Sequence, residues 1–168
     1  MPDAKQGTKQ ETMHVNLKVK RYDPADSGGK TWWQEYEVDI HPDSTVLDAL
    51  IEVREQNDGT LAMRCACRAS ICGSCGMKVN GSAKLVCKTR AIDVSPNGEQ
   101  MTIEPMGNQH VVKDLVVSLD TFFAQIKRVE PFLQPDHVPA QGEYIASNAS
   151  MENLLTSMNC IMCGCCVS

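Results

Sequence analysis

Nine cysteines occupy this 168-residue chain, at positions 65, 67, 72, 75 and 87 and then at 160, 163, 165 and 166. Thiols spread along a small secreted domain read as a disulfide framework, whereas thiols bunched at short spacings read as metal ligands. In "CRASICGSC", Cys67, Cys72 and Cys75 stand in C-x4-C-x2-C order, and Cys87 follows after eleven intervening residues. That is the front of the plant-type spacing for a 2Fe–2S cluster, whose two irons need four thiolates. Ala69, Gly73, Ser74 and Gly76 are small, so a loop there can wrap a cluster and leave backbone N–H groups free to donate to sulfur. Four cysteines can also close a tetrahedral zinc site, but zinc frameworks usually come as two C-x2-C knuckles and this group holds one.

In "CIMCGCC", Cys160, Cys163 and Cys166 begin the bacterial-ferredoxin run C-x2-C-x2-C-x3-C-P, which supplies corners of a 4Fe–4S cubane. The next cysteine of that run would fall at position 170, beyond Ser168. The expectation is therefore a second site with an incomplete ligand set, in a chain that reads as a fragment. Cys65 has no place in the first pattern and Cys165 adjoins Cys166, so both read as unligated thiols.

The elements that must hold these residues follow from periodicity. "HVNLKVK" places Val15, Leu17 and Val19 on one face of a strand, and "WWQEYEVDI" does the same with Tyr36, Val38 and Ile40. The turn residues of "DPADSGGK" join them as a hairpin with a long loop. "PDSTVLDALIEVREQNDG" predicts a helix capped at Asp43, Ser44 or Thr45 and stopped at Gly59. "CGMKVNGSAKLVC" folds back around Asn80-Gly81-Ser82, and a three-residue turn there would set Cys75 opposite Cys87. "MTIEP" reads as a last strand, which makes an α+β layout. In "VVKDLVVSLDTFFAQIKRVEPFLQP", the apolar Leu115, Leu119, Phe122, Phe123, Ile126, Val129 and Leu133 recur at threes and fours and predict a helix, and "MENLLTSM" predicts another ahead of the final cysteines.

A net charge of -5 argues against a chain built to neutralise nucleic-acid phosphates. No run of 18 apolar residues offers a membrane span, and the first thirteen residues show no secretory signal, so a reducing, cytoplasmic setting is expected. Arg64, Arg68, Lys84, Lys88 and Arg90 crowd the first cysteine group; they could favour a reduced cluster, guide docking, or form an ordinary solvated face. Trp32 and Trp33 read as one core residue and one edge residue, and His14, His41, His110 and His137 show no ligand spacing.

Taken in order, "RCACRASICGSC", "LVCKT", "VVKDLVVSLDTFFAQIKRVEPFL" and "CIMCGCC" strongly resemble the iron–sulfur subunit of succinate dehydrogenase and fumarate reductase, from about residue 14 to residue 168. The resemblance implies a flexible segment over 1–12, a β-grasp 2Fe–2S ferredoxin domain over 13–108, and the start of an incomplete all-α ferredoxin-like domain over 109–168. It implies that Cys67, Cys72, Cys75 and Cys87 hold the 2Fe–2S cluster. Cys160, Cys163 and Cys166 would hold three corners of a 4Fe–4S cluster, and a 3Fe–4S cluster is expected only in a full-length chain. It further implies a relay of single electrons between an FAD-containing subunit and membrane quinone, with no substrate-converting site on this chain. The chain would then sit on the cytoplasmic side of the cell membrane, held there by anchor subunits. Cys65 departs from the family, which more often shows Arg or Ser at that position.

Overall fold

The computed structural model describes residues 12–26, 28–132, 134–135 and 138–168. The expected flexible segment, apart from Thr12, lies outside the described residues, as do Leu133 and His137.

The two alternating stretches form β1 (Met13–Tyr22) and β2 (Thr31–Ile40), an antiparallel pair with Leu17 opposite Tyr36. Val15, Leu17 and Val19 are fully buried, as their alternation predicts, and each such burial is worth about 1.5–3 kcal/mol. Helix α1 (Val46–Glu52) opens on a capping box: the Thr45 hydroxyl accepts from the Asp48 N–H, and the Asp48 carboxylate accepts from the Thr45 N–H. It continues as one π-helical turn, Val53–Asn57, and ends before Gly59. Next come β3 (Gly76–Val79), β4 (Ser82–Leu85), the short α2 (Ala91–Val94) and β5 (Met101–Glu104). The sheet runs β2-β1-β5-β3-β4, with β1 and β5 parallel and the other pairs antiparallel. Val46, Leu47, Ala49 and Leu50 of α1 are buried in the same core as Leu17, Met77, Val79, Met101 and Ile103. This mixed sheet gripping one helix is the α+β arrangement expected.

The stretch expected to be helical from Val111 onward is divided instead. Residues 110–118 form a hairpin, β6 (His110–Lys113) and β7 (Val116–Ser118), and the helix α3 covers only Asp120–Arg128. Asp114 is the reason. It adopts a left-handed backbone, φ 47°, which no helix tolerates mid-run, and the β-branched Val111, Val112, Val116 and Val117 suit strands on either side. Leu115 then drops into the sheet's core. After β7 the described residues hold only helical elements: α3, α4 (Asn148–Met158, capped by the Ser147 hydroxyl) and a 3-10 turn, Cys165–Val167.

Asp114 is also one end of a buried ion pair. Arg21 continues the inward face of β1 after Val19 and is 4% exposed; Asp114 is fully buried. The Arg21 Nε donates to Asp114 at 2.8 Å, its Nη1 to Asp58 at 2.6 Å and its Nη2 to the Thr60 hydroxyl at 3.0 Å. Asp114 accepts in addition from the N–H groups of Tyr22 and Ala62, at 3.0 and 2.9 Å. Burial works to discharge Arg21, and the hydrogen bonds to Asp114 and Asp58 outweigh it, holding the guanidinium charged. Burial and the bond to Asp58 push the Tyr36 hydroxyl up to about 12. Partial burial would raise the Asp58 carboxyl, but the Thr60 hydroxyl, Tyr36, Arg21 and the Thr60 N–H hold it well below the usual carboxylate range.

Both Trp32 and Trp33 are exposed, so neither is the core residue expected. Trp33 lies against the ammonium groups of Lys18 and Lys20, at 5.9 and 5.7 Å, and Trp32 against Arg21 at 5.7 Å. They sit at the start of an edge strand, whose inward residues become buried only from Tyr36 onward.

Replacing Asp114 with Ala leaves the Arg21 charge buried beside one remaining carboxylate, and is expected to cost about 3–5 kcal/mol in urea unfolding. Because Asp58 is depressed in the folded state, its contribution is complete above its ordinary value of 3.8 and is lost as pH falls through the folded value. The unfolding midpoint of the native chain should therefore drop on acidification below that value, and the drop should be shallower in Asp58→Asn.

Candidate iron–sulfur site

The first cysteine group is held from both ends. At its start, the segment after the π-helical turn is fastened to the β6–β7 hairpin: Leu115 N–H donates to the Ala62 carbonyl at 3.2 Å, and Arg64 donates to the Val117 carbonyl at 2.8 Å. At its end, Cys75 enters β3 and is 3% exposed. Between them the loop makes three left-handed turns, at Arg68 (φ 53°), Ser70 (φ 58°) and Gly73 (φ 71°). Two of these are not glycines, and such conformations persist only where surrounding structure enforces them. They curl the chain so that sulfur faces backbone: Cys67 Sγ accepts from the N–H groups of Ala69 and Cys72, both at 3.3 Å.

The fourth thiol arrives by a different route from the one expected. Asn80 and Gly81 both take positive φ, 49° and 78°, and make a two-residue turn with Val79 opposite Ser82. The register is one residue shorter than a three-residue turn would give. The β4 arm therefore brings Val86, not Cys87, level with Cys75, and the Val86 N–H donates to the Cys75 carbonyl at 3.3 Å. A turn closed by the N–H groups of Lys88 and Thr89 on the Leu85 carbonyl swings Cys87 back toward Cys75. Two N–H groups from the start of α1, those of Val46 and Leu47, fix this turn by donating to the carbonyls of Thr89 and Val86.

The outcome is two pairs. The Cys72 N–H is bonded to Cys67 Sγ, and Cys75 lies near enough to Cys87 and Cys72 to feel both. The hydroxyl of Ser74, 3.2 Å from Cys72 Sγ, is the largest influence drawing that thiol down to about 6. Burial pushes the Cys75 thiol up to about 11. Ser70 reaches Cys87 Sγ at 3.8 Å. Two thiols and two thiols, with N–H and hydroxyl donors aimed at sulfur, fit a binuclear cluster that needs a pair on each iron. Cys65 is half-buried against the core.

The second group lies on a loop bent at Met162 (φ 54°) and Gly164 (φ 77°), with the Met162 N–H donating to Cys160 Sγ at 3.4 Å. Cys160 and Cys166 are exposed and Cys163 is half-buried. Cys165 is pushed up to about 12 by burial, then by Cys163, and it also feels Cys75. The two constellations thus meet. A cavity of about 260 Å³ beside the meeting point is lined by Gly73, Gly76, Met106, Leu115, Phe123 and Cys163 among others. Phe122 and Phe123 stack edge to face at 5.7 Å on α3, and Phe123 is exposed rather than core. Arg68 and Lys88 are exposed beside the first loop, while Arg90 reaches Asp43 at 3.4 Å. His14 bonds Asp39, and neither it nor His41 or His110 stands among the cysteines.

The model of the 2Fe-2S iron-sulfur cluster binding domain family matches residues 16–124. The chain belongs to this family. Members of the 2Fe-2S iron-sulfur cluster binding domain family are defined by that cofactor, and the paired thiols described above are the residues that fit it. Among solved structures, the chain is similar to one in the "Mycobacterium smegmatis Sdh1 complex in the apo form", at 26% identity and a TM-score of 0.81. That similarity covers 94% of this chain and 63% of the M. smegmatis chain, so this chain spans less than two thirds of its length. A hypothetical protein from Helicobacter pylori is similar at 16% identity and a TM-score of 0.48, over 72% of this chain and 22% of its own.

The sequence marks Ser74 as a small residue of the wrapping loop and gives its hydroxyl no role. Its hydroxyl stabilises negative charge on Cys72, so Ser74→Ala should lower the reduction potential of the bound 2Fe–2S cluster, measured by redox titration followed by EPR, with iron content unchanged.

Proposed function

We propose that this chain is the electron-transfer iron–sulfur subunit of a succinate dehydrogenase or fumarate reductase. The observation that carries the reading is the seating of a C-x2-C-x2-C loop directly against a 2Fe–2S loop, within a fold shared over 94% of the chain with a member of the M. smegmatis Sdh1 complex. In this reading Cys67, Cys72, Cys75 and Cys87 ligate the 2Fe–2S cluster, and Cys160, Cys163 and Cys166 supply three ligands of a 4Fe–4S cluster. A 3Fe–4S cluster, and the fourth ligand of the cubane, would draw on residues other than these seven. The division into a ferredoxin domain and a helical domain is part of the same proposal, with the β6–β7 hairpin packed on the former.

Bound clusters accept and release one electron at a time, which lets a two-electron oxidation of succinate feed a quinone in single steps. The chain's own residues do the rest. Cys67 and Cys72 are exposed, so the first loop presents itself at the surface, where an FAD-containing partner would dock. The N–H groups of Ala69 and Cys72 and the Ser74 hydroxyl take up charge on sulfur, and the side chains of Arg68 and Lys88 add positive field beside it. Among the described residues no helix is long and apolar enough to cross a membrane. Attachment to the cytoplasmic face of the membrane, and access to quinone in a tricarboxylic acid cycle or respiratory role, would come through anchor subunits.

The test is purification of the tagged chain from its own host under anaerobic conditions, with iron, sulfide and flavin analysis and EPR after dithionite reduction. A rhombic 2Fe–2S signal, a co-purifying flavoprotein and succinate-dependent dye reduction are expected. Cys75→Ser should abolish the signal and Cys65→Ser should keep it. A zinc-bearing, EPR-silent chain would sink the redox reading, and an iron–sulfur chain with a flavoprotein indifferent to succinate would assign it to another oxidoreductase.

A further inference from the structure

We propose that Gly73 is a positioning residue: the absence of a side chain there is what lets the second cysteine loop sit on the first, and so sets how closely the two constellations approach. A Cβ built on Gly73 would stand 2.7 Å from the Cys163 Cβ and 2.9 Å from its Cα. These are not the tips of flexible side chains. Neither atom can step aside unless the whole loop moves, and real Cβ atoms essentially never come that close.

Three further observations hold the loop on this seat. A Cβ on Gly76 would collide with the Met106 methyl and stand 3.6 Å from the Cys163 carbonyl oxygen. Beyond the cysteines, the Gly107 N–H donates to the Ser168 hydroxyl at 2.8 Å, and the Asn108 side-chain amide donates to the Val167 carbonyl at 2.6 Å. The 160–168 segment is thus pressed against Gly73 at one end and strapped to the 106–108 turn at the other.

Gly73 has a second reason to be glycine, its φ of 71°, and the two reasons can be separated. Gly98 has a φ of 78° with nothing within 4 Å of a built Cβ. Gly98→Ala therefore carries the backbone strain without the collision, whereas Gly73→Ala carries both. The seat itself is read without clusters, in the reduced, iron-free full chain, as the rate of iodoacetamide alkylation at Cys163 relative to exposed Cys160, resolved by mass spectrometry. The ratio should rise several-fold in Gly73→Ala and stay at the native value in Gly98→Ala. An unchanged ratio in Gly73→Ala, or an equal rise in Gly98→Ala, overturns the proposal. Should Gly73→Ala fail to fold, the double variant Asn108→Gly with Ser168→Ala decides, because it keeps the left-handed backbone at 108 (φ 56°) and removes both bonds of the strap: the same rise supports the seat and no change overturns it. The electronic consequence rests on the function proposed above. In the loaded, dithionite-reduced protein, broadening of the 2Fe–2S EPR signal by a second reduced cluster should diminish in Gly73→Ala while first-cluster iron is retained. A native protein with no second cluster would defeat that functional reading and leave the alkylation result standing as the test of the seat.

Discussion

The buried pair of Arg21 and Asp114 is the constraint on which the arrangement of the site rests. Charges in a protein interior survive only when their hydrogen bonds are complete, and these two draw on five separated parts of the chain: the end of β1, Tyr36 of β2, the Asp58–Thr60 bend, the start of the cysteine loop at Ala62 and the β6–β7 turn. The pair therefore acts less as a source of net stability than as a registration device. It forces the segment leading into Cys67 to begin at one place, and it places the hairpin that Arg64 then grips. The exposed Cys67–Cys72 half of the site has no hydrophobic packing of its own to define it, and this polar anchor takes that role.

From that anchor, the loop reaches its shape through conformations that are individually unfavourable. Arg68 and Ser70 both sit in the left-handed region, and the donors that result, Ala69 and Cys72, point at the Cys67 sulfur. The strain and the hydrogen bonds to sulfur have one origin. The other half of the site rests on regular structure: Cys75 immediately before the strand β3, and Cys87 on a turn held by the first N–H groups of α1. One pair of thiols is thus rigid and partly buried while the other is open to solvent, an asymmetry suited to a carrier that exchanges charge at its surface.

Much of this was legible in the amino-acid order. Val15, Leu17 and Val19 alternate because one face of β1 is solvated, and Thr45 caps α1 because its hydroxyl meets an N–H three residues on. The cysteine spacing identified the cofactor class because ligand geometry is local. What escaped depended on distance in sequence or on a single torsion. The Arg21–Asp114 bond joins residues 93 apart, and its one local sign was a charged residue at the last inward position of β1. Without it, the threes and fours around Leu115 looked like a helix. The register of Cys87 was missed by one because Ser82 belongs to the strand and not to the turn. Likewise Trp32 lies on the inward parity of β2, but beyond the region that α1 covers, so parity alone misplaced it.

The two-residue turn at Asn80–Gly81 has a consequence for how such a chain can change over generations. Asn80 is locked by its own bonds: its N–H donates to the Thr102 carbonyl, its side-chain oxygen accepts from the Thr102 N–H, and its amide reaches the Val94 carbonyl. The loop between β1 and β2, though its Asp23 bonds Lys113, joins two strands that carry no cysteine, so a change of its length shifts no thiol within its hairpin. An inserted residue at Asn80–Gly81 would shift Cys87 by one step and turn its sulfur to the opposite side of the sheet. Length variation in this protein is therefore permitted at one hairpin and forbidden at the other, and the forbidden one serves as the ruler for the fourth thiol.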